Sequence, residues 1–187
     1  MVPRAGPLNR FIVASGTTNL ADGIGVVVWA WMASLLTRDP ILVSLMPVAL
    51  RLPWFVFALP AGVVTDRVDR RRLILAMDGV RAVAFGAAGL AVWRALPLDP
   101  PAEEGAVPGL FVALLVCALL VGMAEVFRDN AARTMLPAIV PRAGLERANG
   151  RLWSVEPVCN ALLGPALGAG FAGGGSVRSP SPRHAAA

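Results

Sequence analysis

Lysine is absent from the 187 residues, so all 17 basic side chains are arginines, and the one histidine, His184, stands near the carboxyl end. A lone histidine in a polar tail beside three alanines gives a metal site or a histidine-dependent nucleophile nothing to be built from. The two cysteines, Cys117 and Cys159, lie far apart inside apolar stretches and belong to no Cys-x-x-Cys or Cys/His array, so they read as small packing or lipid-facing residues. The glycine-rich stretch from Gly168 to Gly175 lacks the Gly-Lys-Ser/Thr ending that grips a nucleotide phosphate. The expectation is a protein that is not an enzyme and needs no cofactor or metal.

What the chain does have is apolar length. It is 56% hydrophobic, with a mean hydropathy of +0.65, and the apolar residues fall in long uninterrupted runs that a soluble domain of this size rarely carries. The formal charge of +5 would suit a nucleic-acid partner only if the arginines made a continuous basic face, and they lie instead between the apolar runs. That placement anchors the loops of a membrane protein. The expected partner is the lipid bilayer, with no nucleic acid.

Crossing about 30 Å of hydrocarbon takes roughly 20 apolar residues at 1.5 Å each. That template predicts about five transmembrane helices, over residues 11–36, 41–64, 73–93, 109–127 and 152–172. The first run is too long, and too poor in small-x-small cleavage sites, for a cleaved signal peptide, so a retained helix is expected. Pro47, Pro53 and Pro60 predict kinks in the second helix, which membrane helices tolerate. The segments 37–40, 65–72 and 94–108 read as loops, and 128–150 as a polar stretch broken by Pro137 and Pro141, with a short surface helix at 142–149. One side of the bundle collects Arg4, Arg10, Arg67, Arg70, Arg71, Arg72, Arg128, Arg133, Arg142, Arg147 and Arg151, the other only Arg38 and Arg94. Positive loops stay inside, which predicts a cytoplasmic amino terminus in a multi-pass protein of the inner (plasma) membrane. Residues 173–187 read as a disordered low-complexity tail, the mark either of an interrupted longer chain or of a natural short one.

The most specific signal joins the second helix to the third: Gly62-Val-Val-Thr-Asp66-Arg67-Val-Asp69-Arg70-Arg71-Arg72. Glycine lets helices approach closely at the membrane surface, Asp66 can face the positive amino end of a helix, and the arginines can hold carboxylates at a neighbouring helix end. A plain positive anchor accounts for Arg70 to Arg72 but not for Gly62 and Asp66 at this spacing. The segment resembles the signature loop of the major facilitator superfamily, Gly-x-x-x-Asp-Arg-x-Gly-Arg-Arg/Lys, with Gly62, Asp66, Arg67, Arg70 and Arg71 on matching positions and Asp69 where glycine is usual. The resemblance implies that this loop latches one side of the transporter shut. Asp129 at the end of the fourth helix is its expected partner, with Glu125 one turn deeper as second choice. Residues Thr134 to Pro141 and Leu145 to Gly150 are similar to the enterobactin-exporter-like, drug-efflux branch, and Gly164, Pro165 and Gly168 resemble part of the glycine-proline motif of antiporters.

Members of this superfamily have twelve helices in two six-helix halves, so residues 1–172 are expected to be a truncated amino-terminal half. Ionisable groups in the membrane call for partners or a wet path. Asp22 and Arg51 each lie roughly 15 Å inside their helices and are expected to meet near the midplane. They read either as a cavity binding a proton or cationic substrate, or as a structural ion pair. Asp78 and Arg81 share a helix face and are expected to pair with each other or to extend the loop's charges, and Glu156 to lie near Glu125. Function is expected in secondary transport, with efflux of a small molecule or siderophore by alternating access, coupled to a proton or other ion. The alternative is a membrane-embedded binding or regulatory subunit that needs a second polypeptide.

Overall fold

The computed structural model describes residues 6–95 and 108–174. Arg4, His184, the tail from residue 175 and most of the loop expected at 94–108 lie outside these residues. Among the described residues every regular element is helical: α1 (Pro7–Leu36), α2 (Pro40–Arg67), α3 (Arg70–Ala95), α4 (Pro108–Ile139), a 3-10 turn (Arg142–Gly144), α5 (Leu145–Pro157), a π-turn (Val158–Leu163) and α6 (Gly164–Gly174).

The helix starts follow from the residues that open them. Pro7 and Pro40 stand in the first turns of α1 and α2, where a missing N–H costs nothing. Asp39 caps α2, its carboxylate accepting from the Ile41 N–H at 2.8 Å. Asp69 does the same for α3, accepting from the Arg72 N–H at 2.8 Å. The one departure from the signature loop is therefore the cap of the third helix. α2 continues through Pro47, Pro53 and Pro60.

Helices α1 to α4 are each long and apolar enough to cross a membrane. Their outward faces stay apolar, as with Phe55 and Leu59, both 87% exposed, which is a surface for lipid rather than water. The chain is an all-α membrane protein. The fifth apolar run is one rod in three pieces. Val158 and Gly164 keep right-handed helical dihedrals, so the chain passes from α5 through the π-turn into α6 without a break. Pro157 removes an N–H just before the π-turn, and a widened turn is how a helix absorbs such a residue.

The polar segment expected at 128–150 is corrected by the fold. α4 runs twelve residues past the expected end at 127, to Ile139, and only 140–141 and the 3-10 turn separate it from α5. The polar residues there serve the helix from inside. Arg128 is buried, Asn130 donates to the Val126 carbonyl at 2.9 Å, and the Thr134 hydroxyl donates to the Asn130 carbonyl at 3.1 Å. Pro137 sits two residues before the helix end, in the last turn, where a missing N–H disturbs the least of the helix.

Two crossings set the bundle. α4 packs along α2 and α3, and α1 packs along the α5–π–α6 rod. At each crossing a glycine lets backbone meet backbone. A Cβ on Gly122 of α4 would stand 2.3 Å from the Leu50 carbonyl oxygen of α2, and one on Gly23 of α1 would stand 2.2 Å from the Asn160 carbonyl oxygen in the π-turn. Gly164 and Gly168 of α6 continue the second seam, against Gly23 and against Ile24 and Val27. Small residues at such seams are how membrane helices gain van der Waals contact where water gives no push. Gly62, expected to serve a close approach, has open space around it among the described residues.

The core is divided. Trp29, Met46, Ala88, Leu114 and neighbours pack one end, with Trp29 stacked on Phe85 at 5.8 Å. Ile12, Leu136, Ala148 and Leu152 pack the other end. Buried Ser15, Asn19, Arg81 and Arg128 belong to neither apolar cluster.

A methyl group at either crossing has a main-chain oxygen in its way. Gly23→Ala and Gly122→Ala should each lower stability by about 1–3 kcal/mol, while Gly62→Ala should be neutral or raise it by up to ~1 kcal/mol. Unfolding of the purified chain in mixed micelles with rising sodium dodecyl sulfate reads the difference; equal losses at all three sites would refute the crossing geometry.

Candidate functional site

The polar layer is built by α1, α3 and α4. α1 offers Ser15, Thr18, Asn19 and Asp22 along one side, at the three- and four-residue spacings that share a helix face. Asn19 is tied back to its own helix, donating to the Ser15 carbonyl at 3.0 Å. Asp22 is held by Arg81 of α3 in a direct hydrogen-bonded ion pair, the two side chains 8% and 6% exposed. Arg81 also approaches Asp78, one turn before it, at 4.0 Å. From α4, Arg128 reaches Asp78 at 3.6 Å, Asp129 at 3.1 Å and the Thr18 hydroxyl at 3.0 Å. Acids and bases thus alternate in a ladder, Asp22–Arg81–Asp78–Arg128–Asp129.

Two connected spaces lie beside this ladder. A small cavity of about 20 Å³ is lined by Asp22, Trp29, Leu50, Arg51, Glu125 and Asn160 among others, room for about one water. An open cleft of about 370 Å³ is lined by Asn19, Arg51, Trp54, Glu125, Asp129, Arg133, Trp153, Glu156 and Asn160. Its far wall is α5 and the π-turn. Ser15 donates to Glu156 at 3.4 Å, Asn160 to Asn19 at 3.5 Å, and the Arg133 guanidinium lies 5.9 Å from the centre of the Trp153 ring. The indole N–H groups of Trp29 and Trp54 have no acceptor among the described residues. The cleft therefore offers carboxylates, aromatic faces and free donors together, which suits a molecule with an apolar body and a positive charge.

The residues singled out from sequence are partly brought together. Asp22 and Arg51 do line one cavity, but the ion-pair partner of Asp22 is Arg81, and Arg51 opens toward the cleft with Glu125. Depth along two helices could match Asp22 with Arg51; it could not say that α3 comes nearer. Arg81 is shared between Asp78 and Asp22 rather than confined to its own helix. In the loop, Asp66 and Arg70 stand 4.0 Å apart at the surface. Together with Thr65, Arg71, Met135 and Ala138 they border a separate groove against the end of α4. Asp129 turns to Arg128 and the cleft instead of to the loop arginines, and Glu125 lies deeper still. Gly164 and Gly168 form the seam with α1, and Pro165 lies beside it in α6. The sequence reading did not foresee Arg81 and Arg128 as the centre of the network; the available signal was that each is an arginine deep inside a long helix, where lipid forbids a free charge.

Residues 8–171 match the family of transmembrane secretion effectors, a branch of the major facilitator superfamily. The chain belongs to this family. It is also 30% identical, over 172 residues, to the multidrug efflux pump Tap of Mycolicibacterium fortuitum. The alignment covers 88% of this chain and 38% of that relative, so the chain spans well under half the length of the pump it matches. No solved structure matches the chain. The membership makes it a membrane protein of a transporter family.

Breaking the innermost pair strands a charge. Arg81→Ala should cost about 3–5 kcal/mol by leaving Asp22 buried without a partner, and Asp22→Leu combined with Arg81→Leu should recover most of that loss. The yield of inserted protein and its unfolding midpoint check this; a double variant as unstable as Arg81→Ala would mean that the pair is not the unit.

Proposed function

We propose that this chain forms the substrate-binding half of an ion-coupled efflux transporter, with the α5–π–α6 rod as a fifth span and the amino terminus in the cytoplasm of a cell whose plasma membrane holds it. The observation that carries the reading is the open cleft, where Glu125, Asp129 and Glu156 stand with Trp54 and Trp153. Carboxylates inside a membrane protein attract cations, and indole faces bind the organic ones. The substrate class is a lipophilic organic cation, in keeping with the multidrug pump to which the chain is similar.

Transport by alternating access follows when this bundle rocks against a second one across the cleft. The exposed Asp66–Arg70 loop, bordered by Met135 and Ala138, then serves as the latch at the cytoplasmic end, released as the bundles part. A second reading, a membrane-embedded binding subunit completed by another polypeptide, is favoured by one feature: the described residues supply the cleft with α1, α2, α4 and α5 walls and leave its remaining side open.

Binding and transport are separable by experiment. Tetraphenylphosphonium added to the chain in lipid nanodiscs should quench the fluorescence of Trp54 and Trp153, and Glu125→Gln or Glu156→Gln should weaken its binding about tenfold, ~1.4 kcal/mol. Cells expressing the chain should extrude a fluorescent lipophilic cation. Binding without efflux would decide for the subunit reading, and no quenching would overturn the cleft as a substrate site.

A further inference from the structure

The small cavity beside Asp22 plays no part in the transport reading, yet one of its walls is an unanswered donor. Trp29 is 1% exposed, and its indole Nε1 is buried with no hydrogen-bond acceptor among the described residues. An N–H left unpaired in the interior loses its bond to water and regains nothing, so such groups are almost always answered. The ring presents its pyrrole edge to the cavity lining. A Cβ built on Gly25, which borders the cavity, would stand 3.7 Å from Trp29 Cδ1, the atom bonded to Nε1.

Gly25 is unlike the glycines of the helix crossings. At Gly23 and Gly122 a methyl group would strike a main-chain oxygen, whereas at Gly25 its nearest neighbour would be Phe85 Cζ at 3.5 Å, an ordinary contact. Packing therefore accepts an alanine there, and a helix favours one. What glycine leaves instead is space, in the cavity of about 20 Å³ that Asp22, Arg51, Glu125 and Asn160 also border. That volume suits one water, and a buried water takes about two to four polar partners. The charges select a neutral occupant. Asp22 is already bonded to Arg81, and the same wall carries Glu125 and Arg51 together. A sodium ion would add a charge that nothing balances, and it would meet the indole N–H, a donor, in place of an oxygen. A water accepts from the indole and donates to carboxylates, which matches the groups present.

We propose that one water is held in this cavity, accepting from the Trp29 indole N–H and donating to Asp22 and Glu125, and that it links the ion-pair ladder to the cleft. Arg81 takes Oδ1 of Asp22, which leaves Oδ2 for the water. Arg51, Glu125 and Asn160 border both the cavity and the cleft, so the water stands between Asp22 and a wall that a bound molecule touches. An organic cation drawn to Glu125 turns that carboxylate toward the cleft and weakens its bond to the water, which then leans on Asp22 and Trp29. Trp29 is a positioning residue, since it touches the water and not the cation. Its stacking on Phe85 at 5.8 Å fixes the direction of its N–H. The water site rests on the cavity alone; its response to a cation rests on the cleft of the transport reading.

Nuclear magnetic resonance of the nitrogen-labelled chain in nanodiscs gives each tryptophan one indole N–H resonance, and Trp29→Phe identifies the one that belongs to Trp29. That proton should show a direct cross-relaxation peak to a bound water. Gly25→Ala should fill the space, remove the peak and move the resonance upfield, as the loss of a hydrogen bond does. Gly79→Ala, with open space around it, should leave both unchanged. If Gly25→Ala gives no folded protein, Val121→Leu fills the same cavity from α4 and is read in its place. A Trp29 proton with no water peak, or a peak that survives the filling, overturns the site. Saturating tetraphenylphosphonium should then shift the Trp29 resonance in the native chain and leave it in place in Gly25→Ala. Quenching of Trp54 and Trp153 without a shift at Trp29, or an equal shift in Gly25→Ala, overturns the link. If Trp54 and Trp153 are not quenched at all, the cleft reading fails and takes the link with it, while the water peak still decides the site.

Discussion

A charge inside lipid has to be answered by another charge within reach, and in this bundle that requirement falls on Arg81. It sits near the middle of α3, it is almost wholly buried, and it reaches across to Asp22 on a helix that packs chiefly elsewhere. Remove that reach and α1 would carry an unanswered carboxylate, α3 an unanswered guanidinium, and both would have to move toward water. The pair therefore fixes the rotation of α1 and α3 about their axes more tightly than apolar packing could, since leucine and alanine faces have no preference between lipid and one another. Arg128 repeats the device one helix over, tying α4 to α3 through Asp78 and to α1 through Thr18.

Rotation having been fixed by charge, separation is fixed by glycine. Gly23 against Asn160 and Gly122 against Leu50 stand at corresponding places, the one on α1 where it meets the rod and the other on α4 where it meets α2. α1 and α4 are thus the two helices that receive a close neighbour, and both also contribute to the polar layer. The consequence for the site is direct. A close seam brings the π-turn near enough for Asn160 to meet Asn19 and for Glu156 to meet Ser15, so that the acids of the cleft come from α4 and the rod together.

How much of this could be read from the residues alone depends on whether the information is local. Apolar runs bounded by arginine and proline gave the positions of α1, α2 and α3 to within a few residues, because lipid thickness sets helix length. The end of α4 was not legible for the opposite reason: residues 128–134 are as polar as a loop, and only the neighbouring helices make that polarity internal. Gly62 drew notice through its motif, while Gly122, four residues after Ala118 in an apolar run, carries the small-x-x-x-small spacing that marks a seam. Gly164 and Gly168 have the same spacing. In the site, the pairing of Asp78 with Arg81 is visible at three residues' separation, but the choice of Asp22 over others by Arg81 depends on which helix lies beside α3, and no spacing within one helix contains that.

The distribution of charge between the loop and the interior separates two kinds of work. Asp66 and Arg70 are exposed to solvent and 4.0 Å apart, and a pair in that setting contributes little to holding the fold. It is free to exchange partners at small cost, which is what a latch needs. The interior groups are the reverse: they are short of water, bound at 3.1 Å or closer within two of their pairs, and costly to separate. Between these extremes lies Asp78, inside the bundle yet loosely held and partly open. A group in that position can shift between its two guanidiniums without dismantling a tight pair, and because it lies within 4.0 Å of both, any such shift is felt by Asp22 on α1 and by Asp129 on α4.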